Sequence, residues 1–96
     1  MIKSFKDLIV WQKGLDLAES IYILTDKLPC KEQFGLISQM RRAAVSIPCN
    51  VAEGYGRENT GSYIQFLSIA RGSLSELETQ IELCKTKKPQ KRGSCL

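Results

Sequence analysis

The chain contains no histidine among its 96 residues. That absence removes the usual general base at neutral pH, the Ser-His and Cys-His nucleophile pairs, and imidazole ligation of a metal. Clustered cysteine is missing too. Cys30, Cys49, Cys84 and Cys95 are scattered with no C-x-x-C pair among them. Structural zinc takes ligands at short spacing, so neither a zinc site nor a disulfide frame is expected, and the cysteines read as small buried hydrophobes. No run approaches the roughly 18 apolar residues of a membrane span. The opening "MIKSFKDLIVWQKG" lacks the long apolar stretch and small-residue cleavage site of a signal peptide. Strand-like alternation and internal repeats are also lacking. These absences predict a cytoplasmic, non-catalytic protein with no catalytic residues, no metal, no cofactor and no membrane partner.

What is present fits one globular domain. Hydrophobic residues make up 43 % of the chain, and a chain of this size buries about 60–70 % of its unfolded surface, a feasible but thin core. The net charge of +4 is unevenly placed. From Lys85 onward, "KTKKPQKRGSCL" carries five basic residues (Lys85, Lys87, Lys88, Lys91, Arg92) and no acid; removing them from the total of 14 leaves 9 basic against 10 acidic residues, a net of −1 for positions 1–84. The basic character therefore belongs to the tail, and the overall charge is poor evidence that the body binds nucleic acid.

Three helical segments are predicted. The first covers residues 6–28, with Ser4 as N-cap and Asp7 as its acidic N3 partner. Its wide apolar face is Leu8, Trp11, Leu15, Ala18, Tyr22 and Thr25, flanked by Leu17, Ile21, Leu24 and Leu28. Gly14 inside it costs on the order of 1 kcal/mol relative to alanine and marks a close helix crossing. Pro29 stops the segment. The second starts near Glu32, with Ile37, Met40, Ala44, Ile47 and Val51 stepping by three and four across Pro48. A period that survives a proline predicts one helix bent at that residue rather than two elements. Arg42, Ser46, Asn50, Glu53 and Arg57 fall on the opposite face, with Arg41 at the boundary. Gly54 and Gly56 read as C-cap glycines. The third follows a turn at "RENTG", capped by Asn59 or Thr60. Its apolar stripe runs Tyr63, Phe66/Leu67, Ala70, Leu74, Leu77, Ile81, Cys84, and Glu76, Glu78 and Glu82 read as a solvated acidic face. The fold class is thus all-α: an antiparallel up-down bundle of three long helices over residues 1–86, with 87–96 a disordered basic tail.

The stretches "VWQKGLDLAESIYILTDKLP", "FGLISQMRRAAVSIPCNVAEGYGR" and "SYIQFLSIARGSLSELETQIEL" resemble the bacterial four-helix-bundle proteins encoded in intervening sequences of 23S ribosomal RNA genes. The accessory protein of diversity-generating retroelements is a relative of that family. The resemblance covers about residues 5–84 and rests on Val10-Trp11-Gln12, Gln39, Arg41 to Ala44, Ser46-Ile47-Pro48, Asn50, Ala52-Glu53-Gly54 and Glu76-Leu77-Glu78. It implies an up-down bundle, ring-shaped homo-oligomers with pentamers among them, and no enzymatic activity. For the retroelement relatives it implies a basic surface that associates with nucleic acid and a reverse transcriptase. The matching positions are Arg41, Arg42, Asn50, Glu53, Arg57, Arg71 and Glu78. Family members continue into a fourth amphipathic helix, where this chain has "TKKPQKRGSCL". Three helices with wide apolar faces would leave a groove, and the expectation is that another copy of the chain closes it or else that the protein is only marginally stable.

Two functional readings follow. In one, the protein is an oligomer that binds RNA or DNA through Arg41, Arg42, Arg57, Arg71, Lys85, Lys87, Lys88, Lys91 and Arg92, since rigidly held arginines suit phosphate contacts. In the other, it is a protein-binding scaffold, with Trp11 as the interface marker. Competing structural roles stay open for several of these residues. Arg41 and Arg71 are placed to pair with Glu53 or Glu78 between helices or protomers, Arg42 and Arg57 could be solvated surface, and Trp11 could be core.

Overall fold

Turn and helix signals divide the chain much as its periodicity predicts. The computed structural model describes residues 2–29 and 33–86; the predicted tail, 87–96, lies outside them. Three long α-helices follow one another: α1 (Ile9–Thr25), α2 (Ser38–Gly56) and α3 (Thr60–Thr86). A 3-10 turn, Phe5–Asp7, precedes α1, and a π-helical turn, Gln33–Ile37, feeds into α2. No strand occurs among the described residues.

The capping signal at Ser4 is genuine but belongs to the 3-10 turn, not to α1. The Ser4 hydroxyl accepts from Lys6 N at 3.2 Å, and Asp7 Oδ2 accepts from the backbone N–H groups of Lys3 and Ser4 at 2.8 and 3.2 Å. Leu8 then takes an extended conformation, φ −75° and ψ 127°, so the helix restarts only at Ile9. The break brings the Phe5 ring edge-on to Trp11, with centroids 5.3 Å apart, an arrangement favoured by ring quadrupoles. At its other end α1 stops at Thr25, three residues short of the predicted limit. Lys27 N and Leu28 N bond to the carbonyls of Leu24 and Thr25, tightening the chain into a turn before Pro29.

α2 is the spine. It packs against both other helices, while α1 and α3 scarcely meet. Its predicted stripe is buried throughout: Ile37, Met40, Ala44, Ile47 and Val51, of which Met40, Ala44 and Val51 are completely enclosed. The helix runs unbroken through Pro48, which is itself buried. Pro48 offers no N–H to the Ala44 carbonyl, but its ring fills the space left by Gly14 on α1. A Cβ at Gly14 would sit 3.3 Å from Ile47 Cγ2 and 3.5 Å from Pro48 Cβ and Cδ. The glycine marks a close helix crossing, as its sequence position suggests.

Gly54 does not cap α2, contrary to expectation. The helix continues through Gly54 and Gly56, and Gly54 is buried against α3, where a Cβ would lie 2.8 Å from Phe66 Cβ and 3.1 Å from Tyr63 Cδ1. The left-handed residue that turns the chain is Glu58, at φ 55°, where a Cβ-bearing side chain is strained by roughly 1 kcal/mol. Asn59 then caps α3: its Oδ1 accepts from Ser62 N at 3.0 Å.

The third stripe is only partly covered. Ala70 and Leu77 are buried, whereas Leu74 is 41 % exposed; Leu15, Tyr22 and Leu24 on α1 are also exposed. The side of α1 that α2 covers is the narrower Gly14, Ala18, Ile21 and Thr25. With one neighbour per flanking helix, an apolar face wider than one contact stays partly in water.

Candidate interaction surfaces

Arg41 leaves α2 beside the C-terminal end of α1 because the two helices run antiparallel. Its Nε donates to the buried Thr25 hydroxyl at 2.8 Å, its Nη2 donates to Asp26 Oδ1 at 2.8 Å, and its guanidinium lies 4.5 Å from the Tyr22 ring centroid. The Thr25 hydroxyl in turn donates to the Ile21 carbonyl at 2.7 Å. Arg41 is therefore tied into the α1–α2 seam, and its carboxylate partner is Asp26. Within the chain Glu53 is out of reach, twelve residues further along the same helix, about 18 Å at 1.5 Å per residue.

The other basic candidates separate into paired and unpaired groups. Arg57 contacts Glu53 Oε2 through Nε at 3.1 Å and Nη2 at 3.0 Å, and lies over the Phe66 ring at 5.2 Å. Lys85 pairs with Glu82 at 3.3 Å on the surface of α3. Arg42 and Arg71 are exposed and form no ion pair among the described residues. Within the chain Arg71 and Glu78 lie seven residues apart on one helix, about 10 Å, and no ion pair joins them. Lys87, Lys88, Lys91 and Arg92 lie outside the described residues. The two unpaired arginines do not share a face. Arg42 is on the outer side of α2, while Arg71 follows the side of α3 that carries Leu74 and Glu78.

Two open hollows differ in charge. One, of about 670 Å³, lies between α1 and α2 and is lined by Tyr22, Ile37, Ser38, Arg41, Arg42, Val45 and Ser46. It has two guanidinium groups and no carboxylate in its lining. The second, of about 420 Å³, runs along α3 and is lined by Ser75, Glu78, Thr79, Ile81 and Glu82, with two carboxylates and no base. A smaller cavity of about 140 Å³ between α2 and α3 brings Arg42 and Glu76 to its walls.

The α2–α3 seam holds a polar chain that sequence periodicity passes over. Asn50 Nδ2 donates to the Ser46 carbonyl and hydroxyl, both at 2.8 Å, and the Ser46 and Ser73 hydroxyls meet at 2.9 Å. Serines on facing helices are a usable signal, since only small side chains let hydroxyls meet across a crossing. Gln80 is the other hidden residue. It is 5 % exposed, with its Nε2 3.4 Å from Glu76 Oε2 and its Oε1 unpaired. Trp11, the proposed interface marker, is half-buried against the core and the Phe5 ring.

No group of His, Cys, Asp and Glu among the described residues could hold a metal, and none of the described helices is long and apolar enough to cross a membrane. Antiparallel helices joined in chain order, touching through small residues, place the molecule among the all-α up-and-down bundles. The particular family is shown by the sequence. Residues 6–91 match the 23S rRNA-intervening sequence protein family, and the chain belongs to it. No curated protein matches this sequence.

Proposed function

We propose that this protein is non-catalytic and acts by association, in the first place with copies of itself. The observation that carries this is the set of large apolar side chains left in water on well-formed helices. Leu15, Tyr22 and Val45 lie along the α1–α2 side, and Leu24 and Leu74 lie on the two helices that α2 holds apart. Each such side chain gains roughly 1.5–3 kcal/mol on full burial, and contiguous apolar surface of a few hundred Å² commonly marks an interface. Sedimentation velocity over a concentration series is the test, with an apolar dye as second probe. Assembly beyond the monomer is expected. A monodisperse monomer that binds no dye would overturn the reading.

RNA or DNA is the partner in a second reading, favoured by the two exposed arginines without an ion pair, Arg42 and Arg71. They would contact phosphates without reading sequence. In a salt series, each phosphate contact contributes roughly one unit to the log-log slope of affinity. The double variant Arg42→Ala/Arg71→Ala is expected to lower that slope by about two units. If a chain ending at Cys84 loses all binding while the double variant keeps it, the contacts belong to the C-terminal lysines and Arg92 instead.

A further inference from the structure

The hollow between α1 and α2 gathers more hydrogen-bond donors than the fold consumes. A guanidinium carries five N–H groups. Arg41 uses one on the Thr25 hydroxyl, through Nε, and one on Asp26, through Nη2, which leaves three. Its side chain is 29 % exposed, and it lines the hollow beside Arg42 and Ser38. Arg42 forms no ion pair among the described residues. Tyr22, Ile37 and Val45 supply an apolar wall, and no carboxylate stands in the lining. We propose that this hollow is a binding site for a small phosphomonoester with an aromatic or apolar body.

Arg41 is the fixed half of the site and Arg42 the free half. The bonds to Thr25 and Asp26, with the Tyr22 ring centroid 4.5 Å away, hold the Arg41 guanidinium in place, so little of its freedom is lost when a ligand arrives. Asp26 also offsets part of its charge, and Arg42 supplies the positive excess. Glu76 is the carboxylate that competes for Arg42. Both reach the small cavity between α2 and α3, yet no ion pair joins them. A phosphomonoester carries about −1.5 to −2 charges at pH 7 and three acceptor oxygens, enough to engage both forks and the Ser38 hydroxyl. A carboxylate offers two oxygens and a single charge. The volume of about 670 Å³ falls in the range of small-molecule pockets, about 300–1,000 Å³, and leaves room beyond a bare phosphate for a ring against Tyr22 and Val45. All these contacts converge in one hollow, whereas polymer contacts through Arg42 and Arg71 would use two faces, so the site stands apart from both readings above.

Phenyl phosphate is the probe, titrated into the full chain at constant ionic strength and followed through backbone amide shifts. Saturable binding with a Kd of about 1 mM or below is expected, with the shifts concentrated at Tyr22, Ser38, Arg41, Arg42 and Val45. Inorganic phosphate lacks the ring and benzoate lacks the second charge, and each is expected to bind at least about threefold more weakly. Arg42→Ala is expected to weaken phenyl phosphate binding by about tenfold or more, the loss of hydrogen bonds between charged groups. Arg42→Lys should recover only part of it, because lysine keeps the charge without the fork. Arg71→Ala, on another face, should leave binding unchanged, and circular dichroism checks that each variant folds. Shifts that never saturate, or that spread evenly over the basic residues, overturn the site. So do equal losses for Arg42→Ala and Arg71→Ala, or inorganic phosphate binding as tightly as the aryl ester.

Discussion

The two seams of the bundle are built differently, although both belong to α2. Against α3, the helices meet through Gly54, the Ser46–Ser73 hydroxyl pair and Ala70, and backbone approach is set by the smallness of those residues. Against α1, one close crossing at Gly14 and Pro48 is followed by a charged tether, Arg41, that reaches the end of the neighbouring helix. The first seam is held by shape and the second by one contact point and one long side chain. Small-residue packing leaves no slack for added atoms, whereas a tether tolerates small displacements at the crossing it reinforces.

Glycine substitutions probe that contrast most strongly. Gly54→Ala places a methyl 2.8 Å from Phe66 Cβ, so the seam must shift, and a loss of about 2 kcal/mol in urea unfolding is expected, in the range for overpacking. Gly14→Ala meets its nearest neighbour, the Cγ2 branch methyl of buried Ile47, at 3.3 Å, a contact relieved by a shift of a few tenths of an ångström, and gains helix propensity of about 1 kcal/mol. The net change is expected to stay within about 1 kcal/mol of zero. Equal losses at the two sites would erase the distinction between the seams.

Arg41→Ala comes next. It removes the donor to Thr25, the Asp26 contact and the stacking on Tyr22, and about 1–2 kcal/mol of stability is expected to go with them. Asp26→Asn should cost less than about 0.5 kcal/mol, because the ion pair is exposed and screened. If the aspartate change costs as much as the arginine change, the surface charge rather than the buried hydroxyl carries the tether. Ser73→Ala is expected to cost about 0.5–1 kcal/mol, between the arginine and the aspartate changes, since the Ser46 hydroxyl keeps its bond from Asn50.

Much of this was legible before any coordinates. The three-four spacing of Ile37, Met40, Ala44, Ile47 and Val51 identifies the buried face of α2, Gly14 marks the close crossing, and Asn59 is one of the two residues the turn offers as cap. Those features depend on one helix or one turn at a time. Periodicity alone did not reveal which of two apolar stripes on α1 would be covered, because that depends on how many neighbours the helix has. Leu15 and Leu74 fit a core pattern and stand in water for that reason. Gly54 looked like a cap because a glycine near a helix end has two uses, and only Phe66 across the seam distinguishes them. Ser4 and Asp7 made a sound capping motif, but no local signal announced that Leu8 would break the helix behind it. The carboxylate that pairs with Arg41, Asp26, sits in the turn after α1, where helix-face periodicity gives no sign of it.

Since α1 and α3 each rest on α2 and scarcely on one another, the molecule resembles a book with two covers on one board. Either cover can swing without disturbing the binding of the other. Local opening should therefore proceed from two independent hinges, with amides of α1 and α3 exchanging with solvent at unrelated rates and those of α2 slowest of all.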